Sequence, residues 1–308
     1  MPARRSARSR RGRLDPAPAA PLEPARLGRA KRWEHRGIVT PSHIVGLVAS
    51  SLDHAGVHGV YVLDRSTGRE LPEDVVTPPS RGVRMPERSG AGTASVRGGG
   101  VAIELAQHHH QRRRPGLRPA GRGPAAGRPR SLGVVPWSRR RFQYTVKDLG
   151  RPVRGLLTLG SEQFPIGGSD CFAALDHGCG KWPCAVTWNW AAGCGPGCAV
   201  QLGGTWTDGT GSTENALFLD GRLHKIGDEP AWTYDRTDRL RPRRVTGPRA
   251  GAEFRPFHER AARTGLGVAA NEAHPCFGRF TGRARADDGT WVELDGLTGW
   301  AEEARNRW

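Results

Sequence analysis

Two stretches, DHGCGKWPCAVTWNW (176–190) and STENALFLDGRLHKIGDE (212–229), bring Asp176, His177, Trp182, Trp188, Trp190, Glu214, Asn215 and His224 close together in the chain. A carboxylate enclosed by indoles loses hydration. That disfavours its ionised form and makes Asp176 or Glu214 a candidate general acid. His177 or His224 offers an imidazole to orient or relay the proton. Trp182, Trp188, Trp190 and Asn215 are the candidate ligand-binding residues, because indole faces stabilise a cation developing in an apolar substrate. The competing reading is purely structural. Aromatic strand residues mostly fill cores, and Glu214 would then pair with an arginine.

Cysteine spacing offers less. Cys171, Cys179, Cys184, Cys194 and Cys198 lie close together, and Cys276 follows His274. A zinc site built from Cys194, Cys198, His274 and Cys276 would want a second close cysteine pair, and the sequence has none. With no secretion signal, disulfides are not expected either. The cysteines read as small buried hydrophobes, and no metal or cofactor is assigned. GCGPGC (193–198) is glycine-rich, but it lies between strands and lacks the helix N-terminus that holds a phosphate.

The elements that must position these residues are short strands. Apolar side chains occupy both parities from Ile44 to Ala49, which marks a strand buried on both faces. HGVYVLDRSTGRE (58–70) runs into a Ser-Thr-Gly turn, and SVRGGGVAIELA (95–106) is a β segment interrupted by three glycines. FQYTVKD (142–148) alternates Phe142, Tyr144 and Val146 with Gln143 and Thr145, the pattern of a one-sided strand. Val186, Trp188 and Trp190 share one strand face, with CAVQLGGTW (198–206) as the hairpin partner. Asp220-Gly221 and Asp288-Gly289 mark two further hairpins. In the second, Arg279, Thr281, Arg283 and Arg285 are expected to face water, with Phe280, Gly282 and Ala284 inward. Trp300, Ala304 and Trp308 recur at i, i+4 and i+8, with Glu302 and Glu303 before Arg305 and Arg307, so a short C-terminal helix is predicted. Many short strands with almost no helix indicate an all-β barrel or sandwich.

The 308 residues carry a formal charge of +17. Residues 1–32 contribute +8 and residues 107–141 contribute +10, so the remainder is close to neutral. Only four of the 47 basic residues are lysine, and with 43 Gly and 24 Pro the bias is that of GC-rich coding DNA. The basicity reads as codon bias on solvated segments, and nucleic acid is not expected as a partner. No run approaches 18 consecutive apolar residues, and no apolar stretch follows the basic start. No membrane span is expected, residues 1–30 read as a disordered basic tail, and the protein is placed in the cytoplasm. Residues 106–131, with no acid and no aromatic, fit no element. They read as a frame slip in GC-rich DNA, with a disordered loop or a metal- or polyanion-binding linker as alternatives.

KRWEHRGIVTPSHIVGLVASSLDHAGVHGVYVLDR, LDHGCGKWPCAVTWNWAAG, TENALFLDGRLHKIGDE, FRPFHERAART and the ending from HPCFGRF to RNRW, taken in order, resemble the domain-of-unknown-function family 2804. The resemblance spans residues 9–308 apart from 106–131. Cys179 and Cys184 depart from it, standing where an Arg and a Tyr are expected. The pattern is also distantly similar to lipocalin-like carotenoid hydratase and tocopherol cyclase proteins. That likeness implies two calycin-like β-barrels, over residues 31–159 and 160–308, enclosing an apolar or isoprenoid ligand. The expected function is binding of a hydrophobic or amphipathic small molecule, with acid–base isomerase, cyclase or hydratase chemistry. Two alternatives come from other classes. One is a carbohydrate-binding β-sandwich with exposed Trp platforms. The other is a nucleic-acid accessory protein whose binding would vanish on deleting 1–30 and 106–131.

Overall fold

The structure, a computed structural model, describes residues 30–307 apart from 53–54, 78–81, 87–88, 90–91, 107–129, 261 and 267–268. The expected tail at 1–30 and the segment 106–131 thus lie almost wholly outside the described residues. Strands β1 (Ala30–Val39), β2 (His43–Ser51), β3 (Gly56–Asp64) and β4 (Glu70–Thr77) form an antiparallel meander. A separate three-stranded sheet follows: β5 (Val83–Arg84), β6 (Thr93–Gly98) and β7 (Val101–Ala106). The glycines expected to interrupt this β segment are its tight turn, Gly99 and Gly100 having φ of 55° and 83°. The chain then makes β8 (Ser131–Ser138), β9 (Arg141–Pro152) and a hairpin of β10 (Gly155–Leu159) and β11 (Glu162–Ile166). Strand β12 (Phe172–Lys181) inserts between β1 and β9, which completes a seven-stranded sheet in the order β4-β3-β2-β1-β12-β9-β8.

Everything beyond Ala185 joins an eleven-stranded sheet. Its members are β13 (Ala185–Gly195), β14 (Cys198–Gly204), β15 (Ala216–Leu219), β16 (Arg222–Lys225), β17 (Ala231–Thr233) and β18 (Arg243–Gly247), followed by β19 (Ala250–Glu259), β20 (Ala262–Leu266), β21 (Ala269–Arg285), β22 (Trp291–Glu293) and β23 (Thr298–Arg307). Asp220 and Gly221, at φ 48° and 76°, turn β15 into β16 as a two-residue hairpin requires. The Asp288-Gly289 turn joins β21 to β22, with Arg279 and Arg283 exposed and Phe280 and Ala284 buried.

The two-residue period of the strands decides where the cores lie. On β13, Trp190, Ala192 and Cys194 enter a core between the two large sheets, together with Val39, Ile44, Tyr61, Leu149 and Trp300. Ala191 points the other way, into a second core with Leu202, Leu217, Val245, Phe254 and Phe280. That second core draws on both β14–β15 and β18–β19, so the eleven-stranded sheet curls round it as a half-barrel. A third core lies on the far face of the seven-stranded sheet, where Leu47, Ala49 and Val60 meet Ala94, Val96 and Ile103 of the small sheet. Strand β2 therefore has a core on each side, as its unbroken apolar run indicated. The fold is all-β and barrel-like, and no helix among the described residues is long and apolar enough to cross a membrane.

One element differs from expectation. The predicted C-terminal helix is instead β23, paired with β13 on one side and β21 on the other. A spacing of four is a multiple of two as well as one helical turn, so Trp300 and Ala304 share a strand face equally well. Trp308 lies outside the described residues. The alternation on β9 also resolves unexpectedly. Its polar residues Gln143, Thr145 and Lys147 are buried, and of the apolar set Val146 is buried as expected while Phe142 and Tyr144 are only half-buried. Alternation shows that two faces differ, but it cannot show which face has polar partners waiting across the core.

Candidate functional site

Three neighbouring strands of the seven-stranded sheet lay down one polar row. His35 on β1 stands directly opposite Asp176 on β12, which stands opposite Lys147 on β9. The row faces the core between the two large sheets, since Val39, Phe172, Ala174 and Leu149, on the same faces of these strands, belong to that core. The Lys147 ammonium lies 2.6 Å from Asp176 and 3.2 Å from Glu214. Gln143, on the same face of β9, donates to the other Glu214 oxygen at 2.6 Å. Glu214 comes from the segment between β14 and β15, which is tied down on three sides. Gln201 donates to the Glu214 carbonyl at 2.8 Å, Thr213 to the Ile226 carbonyl at 2.6 Å, and the Asn215 amide to the Asp228 carbonyl at 3.1 Å.

Indoles wall this row. Trp33 donates its ring N–H to Asp176 at 3.2 Å. The Lys147 ammonium stands 4.6 Å above the Trp190 ring, and Trp190 packs edge-on to Trp300 at 5.7 Å between centroids. His35 meets both of these rings edge-on. From the facing sheet, Glu302 accepts the Trp188 ring N–H at 2.7 Å. Trp182 links the walls, with centroids 5.5 Å from Trp33, 5.1 Å from Trp137 and 5.9 Å from Trp188. Side-chain exposure is 1% for Glu214 and 4% for Lys147 but 14% for Asp176, which makes Asp176 the outermost member of the triad. Two surface clefts, one on the small sheet and one over β18 and β19, border neither Asp176 nor Glu214.

The charges in this interior do not balance in pairs. One lysine serves Asp176 and Glu214, and Glu302 carries a third carboxyl. Burial raises the Glu214 carboxyl above its ordinary value; Lys147 opposes the rise and Asp176 adds to it. Burial likewise raises Glu302, against the Trp188 hydrogen bond. Burial works against the Lys147 charge, but Asp176 and Glu214 together outweigh it and hold the ammonium above its usual range. Desolvation pulls His35 down to about 4 in spite of Asp176, so its imidazole is neutral at pH 7. The arrangement is a cation–carboxylate pair beside two carboxyls whose affinity for protons is raised by burial, the combination a proton-transfer site needs.

Two pH effects follow. Glu302 has a folded-state value above its unfolded one, so the native state binds the extra proton and stability falls as pH rises from about 4.5 toward the raised value. Glu302→Gln removes that slope, and denaturant midpoints between pH 4 and 8 should show a variant at least as stable as the parent at pH 7. A variant that keeps the slope would contradict the assignment. For His35 the sign is opposite. Its folded value is depressed, so stability is complete above the unfolded value near 6.5 and is lost as pH falls toward 4. NMR titration should find the His35 ring neutral down to about pH 4, and a ring that protonates near 6.5 would show that it is solvated.

Of the residues expected from sequence, Asp176, Glu214, Trp182, Trp188 and Trp190 converge here. His177 does not. As the next residue on β12 it points to the opposite face, where it is buried and pairs with Glu34 at 3.2 Å, itself held by Arg36 at 2.7 Å. His224 lies on β16, accepting the Asp287 backbone N–H at 3.1 Å. Asn215 is wholly buried and spends its side chain on backbone groups, accepting from Gly203 N–H at 2.5 Å. Sequence reasoning passed over Lys147, His35, Trp33, Gln143 and Glu302. Lys147 left one usable signal: it is one of only four lysines and continues the polar parity of FQYTVKD. The six cysteines are free, and no group of three metal-ligating side chains is placed to hold a metal ion among the described residues.

No curated protein matches the sequence. Among solved structures, kievitone hydratase from Nectria haematococca is similar at 10% identity and a TM-score of 0.46, over 91% of this chain and 89% of that one. Agreement at that level supports no statement about activity here. The profile of the domain of unknown function DUF2804 matches residues 7–308, nearly the whole sequence and the same ordered motifs that surround the Asp176 row, and the chain belongs to that family.

Proposed function

We propose that the protein binds a hydrophobic or amphipathic small molecule, of lipid or isoprenoid type, against the indoles beside Asp176, and transfers a proton to or from it. The observation that carries this reading is Lys147, buried against the Trp190 ring and shared between Asp176 and Glu214. A buried ion cluster is weak evidence of stabilisation, since desolvating the charges offsets their attraction. Its place beside indoles instead suits chemistry on an apolar ligand. Asp176, the most exposed member and held by Trp33, is the group that meets the ligand. Lys147 holds it in an ion pair, and Glu214 behind Lys147 is a proton reservoir. Addition of water across a double bond, double-bond migration and ring closure all begin with such a transfer. The setting proposed for this activity is the cytoplasm.

The test is organic extraction of the purified protein, native mass spectrometry, and turnover of any recovered ligand in deuterated water. A single apolar molecule should co-purify, quench tryptophan fluorescence on rebinding, and gain deuterium with the parent but not with Asp176→Asn. An empty extract, with no fluorescence response to retinol or oleate, would overturn the proposal. Affinity for a glycan in its place would favour a carbohydrate-binding role.

A further inference from the structure

The curled sheet holds a second polar interior, separate from the Asp176 row. Arg243 on β18 shares its strand face with Val245 of the second core, and it is the largest fully buried side chain described. An arginine stays charged under all ordinary conditions, and a desolvated charge needs a counter-charge nearby. Among the described residues no carboxylate lies within ion-pair distance of Arg243. Its guanidinium donates to the Cys276 sulfur at 2.8 Å and stands 5.7 Å from the Tyr234 ring. The surrounding acids are already engaged. Glu303 takes Arg305 at 2.7 Å, Arg236 at 3.3 Å and Arg239 at 3.9 Å, while Glu259 takes His274 at 3.2 Å and Arg239 at 3.6 Å. Glu272 pairs with the other nitrogen of His274 at 3.0 Å. Arg239 adds a second observation, because its buried Nη1 makes no hydrogen bond and reaches a counter-charge only at 3.9 Å, on Glu303. Glu302, the remaining acid whose field reaches Arg243, shares the strand face of Trp300 and so lies on the other side of β23; among the described residues no carboxylate pairs with the buried guanidinium directly.

Cys276 could neutralise Arg243 only as a thiolate. Burial works against that, pushing its thiol up to about 11 although Arg243 pulls the other way. We infer that Arg243 and Arg239, with the Cys276 thiol beneath them, form a binding site for a small oxyanion, a phosphate or carboxylate group, at the end of the second core. Two guanidinium forks match the geometry of such a group. The segment between β17 and β18 forms the outer side of the site, with the Arg239 carbonyl accepting from the Cys276 thiol at 3.6 Å.

The probe is inorganic phosphate, with acetate as the carboxylate, added to the full chain at constant ionic strength. Isothermal titration should detect saturable binding of at least one of them. Arg243→Gln should weaken it about tenfold or more, since hydrogen bonds to charged groups are worth about 1.5–3 kcal/mol. Without added anion, Arg243→Gln should melt no lower than the parent, because an unbalanced buried charge has gone. Arg239→Gln tests the second fork and should weaken anion binding if Arg243→Gln fails to fold. Two results would overturn the inference. One is the absence of saturable anion binding in the parent. The other is thiolate absorbance near 240 nm at pH 7 that Cys276→Ala removes, which would mean the chain supplies its own counter-charge.

Discussion

Lys147→Met should destabilise the protein by about 3–5 kcal/mol at pH 7, the usual result of removing one partner from a buried ion cluster. Methionine fills much of the volume, so the loss is chiefly electrostatic. Asp176 and Glu214 would face each other with no cation between them, and Glu302 would lose one of the cations that offset its burial. Glu214 and Glu302, already raised by burial, then lose the lysine that opposes the rise. By linkage, the deficit grows as pH rises above about 4.5 and closes in acid, where both states are protonated. Lys147→Arg retains the charge and should lose less. Urea midpoints at several pH values decide the matter. A Lys147→Met protein with an unchanged midpoint at pH 7, or one whose deficit ignores pH, would mean that water already screens the cluster.

Gly178→Ala carries the second large effect. Gly178 lies two residues beyond Asp176 on the same face of β12 and opposite Trp33. A Cβ built there would penetrate the Trp33 indole. The indole must therefore shift, and its hydrogen bond to Asp176 goes with it. Overpacking of this kind typically costs about 1–3 kcal/mol. The informative measurement is a double-mutant cycle with Trp33→Ala. Once the ring is removed, alanine at 178 should be neutral or stabilising, because glycine is the poorer strand residue. A coupling of about 1 kcal/mol or more places the ring against the glycine, and additive single effects would refute that contact. Gly37 repeats the device beneath Trp300, so two of the indoles lining the row rest on glycines of adjacent strands.

Local pattern and turn chemistry were enough to fix the β class, the Asp220-Gly221 and Asp288-Gly289 hairpins, the doubly buried β2 and the alternation of Trp188 and Trp190 on β13. All of these follow from neighbours within a few residues, where the two-residue period and the demands of tight turns act directly. The same locality misled at β23, whose spacing satisfies helix and strand alike until β13 and β21 supply backbone partners on both sides. Asp176, Glu214 and the indoles stood out by residue type, because carboxylates and tryptophans so close together are chemically conspicuous in any fold.

Pairing across the sheet was beyond the reach of local signals. Strand β12 falls between β1 and β9, and only that insertion sets His35, Asp176 and Lys147 side by side from three distant parts of the chain. It also sends His177 to the opposite face, since adjacent strand residues point apart however suggestive their adjacency in sequence. A buried lysine keeps its charge only where carboxylates converge on it, and that convergence belongs to the packed sheets rather than to any segment. The residue types were thus determined by the sequence itself. Register and the closing of one sheet over another decided which of them share an interior.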